Sequence, residues 1–179
     1  MIEKSFFAGF GGQGILSMGQ LWVYFAMQQG KNVTFFPFYG AEKRGGIARA
    51  SVIISDEEIA SPLVTTPDSA MVMNMDSLPL CEKILKNNGL IVINSTLVKE
   101  DPKRSDLKVV KIEASSIAEQ VGNILFTNMV ALGAMAKLTG AVILTDIEGI
   151  LKKFFSQDKY HYIPMNIKAI QAGFDAVKN

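Results

Sequence analysis

Cysteine and histidine are almost missing from this 179-residue chain, where Cys81 and His161 are the sole examples of each. A zinc site or an iron–sulfur cluster draws on about four thiolate or imidazole ligands, so this chain alone can assemble neither. No disulfide can form within it. Charge of one sign is lacking too. Eighteen basic against seventeen acidic side chains leave a formal net charge of +1, too weak a field to hold nucleic acid or an anionic membrane. The apolar run 21–27 falls far short of the roughly 20 residues that span a bilayer. The opening MIEKSFFAGFGG has no basic stretch feeding a long apolar one. These absences predict a cytoplasmic protein with neither a membrane nor a nucleic-acid partner. There is no internal repeat and no low-complexity tract.

What is present is a chain 49% hydrophobic and 20% charged, enough for one sizeable core and one domain spanning residues 1–179. Residues 4–10 read as a strand ending in glycines. The uncharged, proline-free stretch 13–29 reads as a helix with apolar residues all round it, ended by Gly30. A strand at 33–38 follows, and its spacing from the first implies a parallel crossover. Residues 48–54 and 58–59, on either side of SDE, suggest an extended segment with a hairpin-like return. Strands at 70–75, 90–94 and 107–112 alternate with a helix at 78–85. Helices are expected from Ser116 with the capping box Ser116/Glu119, over 129–138, from the box Thr145/Glu148, and from Pro164 toward Val177. Residues 39–46 and 99–106 are the flexible candidates. The pattern predicts a three-layer α/β/α, Rossmann-like fold with a mixed, mostly parallel sheet.

Two segments carry candidate chemistry. Gly9, Gly11 and Gly14 satisfy G-x-G-x-x-G between the first strand and the first helix, joined there by Gly12 and Gln13. Backbone N–H groups and the helix dipole favour an anion at such a turn. The same glycines also permit tight helix–sheet packing, and no acid follows at the end of the second strand to read a nucleotide ribose. Gln13 could reach a ligand or tie the loop down. The second segment is Tyr39, Gly40, Glu42, Lys43, Arg44, Gly45 and Gly46. There a lysine and an arginine beside glycines could meet phosphate or carboxylate, or form a solvated turn. Cys81, among apolar neighbours, reads as a core residue. His161 has no visible partner, and the methionines at 71, 73 and 75 alternate as on a buried strand. Asp56, Glu57 and Glu58 form a turn.

The blocks GFGGQGI (9–15), YGAEKRGG (39–46), SVIISDEEIASP (51–62) and NMVALGA (128–134) together resemble the gamma subunit of 2-oxoacid:ferredoxin oxidoreductases. The resemblance runs over nearly the whole chain. It implies a subunit, inactive alone, of an enzyme that oxidatively decarboxylates a 2-oxoacid with coenzyme A to acyl-CoA, carbon dioxide and reduced ferredoxin. Thiamine diphosphate, Mg2+ and the iron–sulfur clusters would then sit in partner alpha, beta and possibly delta subunits, and this chain would contribute no catalytic residue. Its part would be assembly and the coenzyme A environment, with Lys43 and Arg44 as the residues for coenzyme A phosphates. Relatives often have proline in place of Ala41, and methionine or alanine in place of Lys43. Without the two cysteine clusters of a fused ferredoxin-like segment, the resemblance points first to the 2-oxoglutarate type. A branched-chain or general 2-oxoacid enzyme comes close behind, and the indolepyruvate enzyme's beta subunit further off. A stand-alone nucleotide-binding enzyme and a pure assembly scaffold are the other readings.

Overall fold

The computed structural model describes residues 1–40 and 46–178. Its strands are β1 (Ile2–Phe10), β2 (Asn32–Tyr39), β3 (Ile47–Ser55), β4 (Ser69–Val72), β5 (Leu90–Asn94) and β6 (Lys108–Ile112). Its helices are α1 (Ile15–Gln28), α2 (Leu78–Ile84), α3 (Ala114–Val121), α4 (Thr127–Thr139), α5 (Ile147–Phe154) and α6 (Ile163–Ala176). The strands form one sheet in the order β2-β3-β1-β4-β5-β6. β1, β4, β5 and β6 are parallel, and β3 is antiparallel to both β1 and β2. With helices on both sides, this is the expected three-layer α/β/α arrangement with a mixed, mostly parallel sheet.

Successive strand side chains point to opposite faces. Register places Phe7, Ala50, Met71 and Val92 on one face. There they join Trp22 and Phe25 of α1, Leu132 of α4 and Ile170 of α6 in one core. Phe6, Ala70 and Ile91 point the other way, toward Leu78, Cys81 and Leu85 around α2. β4 and β5 are buried on both faces, which is why they read as unbroken apolar runs. The Trp22 indole N–H donates to Ser5 Oγ at 3.2 Å, and its ring meets Phe7 edge-on. α4 and α6 approach closely at two glycines. A Cβ at Gly133 would lie 1.9 Å from the Ile170 carbonyl oxygen, and one at Gly173 would lie 1.9 Å from that of Val130. The small-residue run in α4 serves this contact.

Several expectations are corrected. β1 and β2 run the same way, but β3 inserts between them. The hairpin partner of β3 is β2, along an eight-pair register that no two-residue arm at 58–59 can match. α1 is buried on one side only, since Tyr24 and Met27 face outward. Its end behaves as read, with Gly30 at φ 72°. Met71 and Met73 are buried in strand alternation, whereas Met75 is half-buried in a 3₁₀ turn, Met75–Ser77. The box at Ser116 and Glu119 does not form. α3 starts two residues earlier, where the Asn94 side chain donates to Ser115 Oγ at 2.9 Å, and Ser116 is engaged by Thr96. At α5 the cap is Asp146, one residue beyond Thr145; its carboxylate accepts from the Gly149 N–H at 3.1 Å. Segment 99–106 is pinned rather than free. Arg104 donates to the Glu82 and Leu85 carbonyls at the end of α2 (2.8 and 2.7 Å) and pairs with Asp106 at 2.6 Å.

Gly133→Ala gains helix propensity of about 1 kcal/mol but forces two backbones apart, which puts its overpacking cost at the upper end of the usual range, about 3 kcal/mol. The expected net loss is about 2 kcal/mol, read in thermal unfolding as a midpoint roughly 4–8 °C lower. A second expectation concerns pH. Arg104 beside Asp106 holds that carboxyl down to about 2, against an ordinary value of about 3.9. A carboxyl whose pKa is lowered in the folded state adds stability above its unfolded pKa and loses it as pH falls through the folded one. Stability in urea should therefore fall between about pH 4 and pH 2, and Asp106→Asn should flatten that decline.

Candidate functional site at the carboxyl edge of the sheet

Parallel strands deliver their carboxyl ends to one edge, where open α/β folds bind ligands. Since β1 and β2 run alike, the loop after each opens at this edge. The structure joins the two loops. The Gly11 N–H donates to the Gly46 carbonyl at 2.8 Å, extending the β1–β3 ladder past Phe10 and Ile47. The Tyr39 hydroxyl lies over Gly11, so close that a Cβ there would stand 2.2 Å from it. Gly40 donates to the Ile47 carbonyl at 3.0 Å and closes the neck of the second loop. Glu42, Lys43, Arg44 and Gly45 lie outside the described residues.

The first loop packs inward at most positions. A Cβ at Gly9 would meet Gln13, Ile15 and Met73 within 3 Å. Gln13 uses both ends of its amide inside the protein: Oε1 accepts from the Phe10 N–H at 2.7 Å and Nε2 donates to the Met73 carbonyl at 3.2 Å. Gly14, at φ 73°, lies against the amide of Asn128, which donates to the Gly14 carbonyl at 3.4 Å. Gly12, at φ 95°, is exposed with open space around it. A dinucleotide loop needs its second glycine bare for the pyrophosphate and an acid at the end of a neighbouring second strand. Here Tyr39 covers that glycine, and β2 is separated from β1 by β3.

Other groups at this edge escaped the sequence reading. β4 runs on to Asn74 and β5 ends on Asn94, both buried. Asn94 is bonded to Ser115, but both polar atoms of the Asn74 amide are buried without a partner, as is Ser77 Oγ. The signal available was an asparagine closing each apolar run. Gly12, Gln13, Met73, Ser115 and Thr127 line a cavity of about 190 Å³ rimmed by Leu97, Ile124 and Leu125. Across Leu125, which is 77% exposed, Ser17, Asn128, Tyr162 and Asn166 line another of about 340 Å³. α1 starts at Gly14 with no side-chain cap and no acid in its first turn, so its leading N–H groups point outward as donors. A larger cavity of about 400 Å³ lies beneath Lys137 and Phe174, roughly 20 Å away at the other end of α4.

Amides, hydroxyls and backbone donors beside exposed apolar side chains suit binding of a polar or anionic group. Strongly shifted titrations lie elsewhere. Burial raises Glu3 beside Ser69 at the opposite edge, and burial pushes the Cys81 thiol up to about 12 under the other face of the sheet. His161 leans against Tyr162, ring centroids 3.9 Å apart and planes tilted by 44°. Among the described residues no three His, Cys, Asp or Glu side chains gather to hold a metal ion, and one cysteine does not fit an iron–sulfur cluster. No described helix is long and apolar enough to cross a membrane.

The clasp between the loops is testable by a double-mutant cycle. Gly11→Ala should destabilise the chain, and Tyr39→Phe, which removes the atom nearest the new methyl, should recover part of the loss. The expected coupling is about 1 kcal/mol in urea unfolding. Strict additivity would show that Tyr39 does not rest on Gly11.

The profile of the pyruvate ferredoxin/flavodoxin oxidoreductase family matches residues 4–176. Ketoisovalerate oxidoreductase subunit VorA of Methanothermobacter marburgensis is 35% identical over 170 residues, covering 94% of this chain and 35% of VorA. The chain thus spans about a third of that relative. The 2-oxoglutarate synthase subunit KorC of the same organism is 32% identical over 95% of this chain and 94% of KorC. Among solved structures, the keto/oxoacid ferredoxin oxidoreductase gamma subunit from Geobacter sulfurreducens superposes with a TM-score of 0.83 at 28% identity, covering 97% of each chain. With the family profile, a relative matched along nearly its full length and a superposed structure in agreement, the chain belongs to the pyruvate ferredoxin/flavodoxin oxidoreductase family, as a domain of its gamma-subunit type.

Proposed function

We propose that this chain is the gamma subunit of a multi-chain 2-oxoacid:ferredoxin oxidoreductase, and that the 2-oxoacid is 2-oxoglutarate. The observation that carries the reading is the clasp of Gly11 on Gly46 and Tyr39, which unites the two loops at one strand edge. The choice of substrate rests on the match to KorC along nearly the full length of both chains, a match that pyruvate/ketoisovalerate gamma subunits share at 31–32% identity. Alpha and beta subunits, with a delta subunit where present, supply thiamine diphosphate, Mg2+ and the iron–sulfur clusters. They cleave the bond between the 2-oxo carbon and the carboxylate, transfer the acyl group to the coenzyme A sulfur and pass the electron pair to ferredoxin. The gamma chain adds no reacting group. It presents the second loop at the strand edge, where Arg44 forks onto a coenzyme A phosphate and Lys43 adds a point charge. The first loop holds that neck in place.

Two results are expected. The purified chain reduces no viologen dye with 2-oxoacid and coenzyme A, whereas the complex that co-purifies with it does; turnover by the chain alone would overturn the subunit reading. In the complex, Arg44→Ala should weaken apparent coenzyme A affinity roughly ten- to hundredfold, the size of one charge-assisted phosphate contact. An unchanged affinity would leave a scaffold role. Tight NAD(P) or FAD binding by titration calorimetry would favour a stand-alone nucleotide enzyme.

A further inference from the structure

The face of the sheet that carries α2 is covered over β4 and β5 and at Ser51 and Ile53 of β3, but open along β2 beside Arg49. There Phe36, Phe38, Arg49, Ser51, Leu63 and Leu80 line a groove of about 230 Å³. Phe36 and Phe38 remain 46% and 51% exposed. The Arg49 guanidinium stands 5.4 Å from the centre of the Phe38 ring. Its Nε is buried with no acceptor, and among the described residues Arg49 forms no ion pair. By register Thr34 points to this same face, and its hydroxyl is likewise buried without a partner.

We propose that this groove docks a partner polypeptide which inserts one carboxylate side chain, flanked by apolar residues, onto Arg49. A guanidinium presents five donors in a planar fork that fits a carboxylate at two points. Held against an aromatic ring in a half-dry groove, the pair is screened less than one in water. The aromatic and aliphatic walls set the chemistry of the flanking residues. An apolar partner segment with one carboxylate fits better than a phosphate-rich one, because among the described residues that line the groove Arg49 is the one cation and the rest are apolar or uncharged. A second copy of this chain does not fit either, because in a two-fold contact through this groove its lining offers no carboxylate to meet the other copy's Arg49.

The proposal rests on the subunit reading, with the partner being the alpha and beta chains of the complex. Wild-type and variant gamma chains are immobilised, and the alpha–beta assembly is titrated by biolayer interferometry. Arg49→Glu should weaken binding about thirtyfold or more. Arg49→Lys should lie between it and wild type, and Lys108→Glu on the opposite sheet edge should change nothing. Far-ultraviolet circular dichroism and thermal unfolding check that each variant is folded, and Phe38→Ser tests the apolar wall without altering charge. Reversal of a partner Asp or Glu to Arg that restores binding to Arg49→Glu would identify the inserted carboxylate. Wild-type binding with both Arg49→Glu and Phe38→Ser unaffected would overturn the groove while leaving the subunit reading intact. No binding by wild type would overturn both. Self-association that Arg49→Glu abolishes in sedimentation would make the occupant a second copy and refute the partner.

Discussion

The backbone ladder of β3 holds the molecule's two distinctive loops together. β3 pairs with β1 over nine residues and with β2 over eight, antiparallel to both. Two strands antiparallel to the same neighbour must run alike, so the loops after β1 and β2 open on one side. The Gly11 to Gly46 bond is the next rung of that ladder. The same arrangement makes β2 an edge strand. Since Gly40 donates inward to Ile47, the two-residue period directs the backbone of Pro37 outward. The missing N–H of proline therefore costs no rung and blunts the open edge against further pairing.

Local features of this fold were legible in the sequence, and non-local choices were not. Gly30 at the end of α1 and the apolar strands β4 and β5 follow from backbone freedom and side-chain pattern within a few residues. The position of β3 depends on which partner offers the longer ladder, a comparison across more than 40 residues that no local pattern records. The capping boxes fail for a related reason. Ser116 is a competent cap by itself, but Thr96 engages it and Asn94 sets the start of α3 from another strand. At the strand edge the glycine motif was visible, yet its occupant was not, because Tyr39 reaches Gly11 only once β3 has aligned the strands. The asparagines at the ends of β4 and β5 carried a signal, but one that only a folded edge makes meaningful.

The glycine-rich turn shows why a motif needs its neighbours. A loop that binds a dinucleotide keeps space above its second glycine and draws on an acid from the adjacent strand. Here a phenol fills the space, and insertion of β3 displaces the end of β2 by about one strand spacing, roughly 4.8 Å. Both changes come from one topological event. The turn keeps its tight geometry, with Gln13 and Asn128 satisfying its backbone from either side, and its role becomes one of fixing the base of the second loop. What the edge still offers outward is the bare Gly12 and the first turn of α1.

Energetics place a bound on how the open groove over β2 and β3 can work. Burying the exposed halves of Phe36 and Phe38 yields about 2 kcal/mol in total, since full burial of such a side chain is worth about 1.5–3 kcal/mol. A carboxylate on Arg49 relieves a buried donor that would otherwise lack an acceptor, worth about 1–3 kcal/mol. Association itself costs about 4–15 kcal/mol in lost freedom. The groove therefore acts as an anchor within a larger contact and cannot hold a partner by itself. The exposed Leu97, Ile124, Leu125 and Tyr162 around the carboxyl edge supply further apolar surface. A partner that reached both areas would make the larger contact that the groove alone cannot provide.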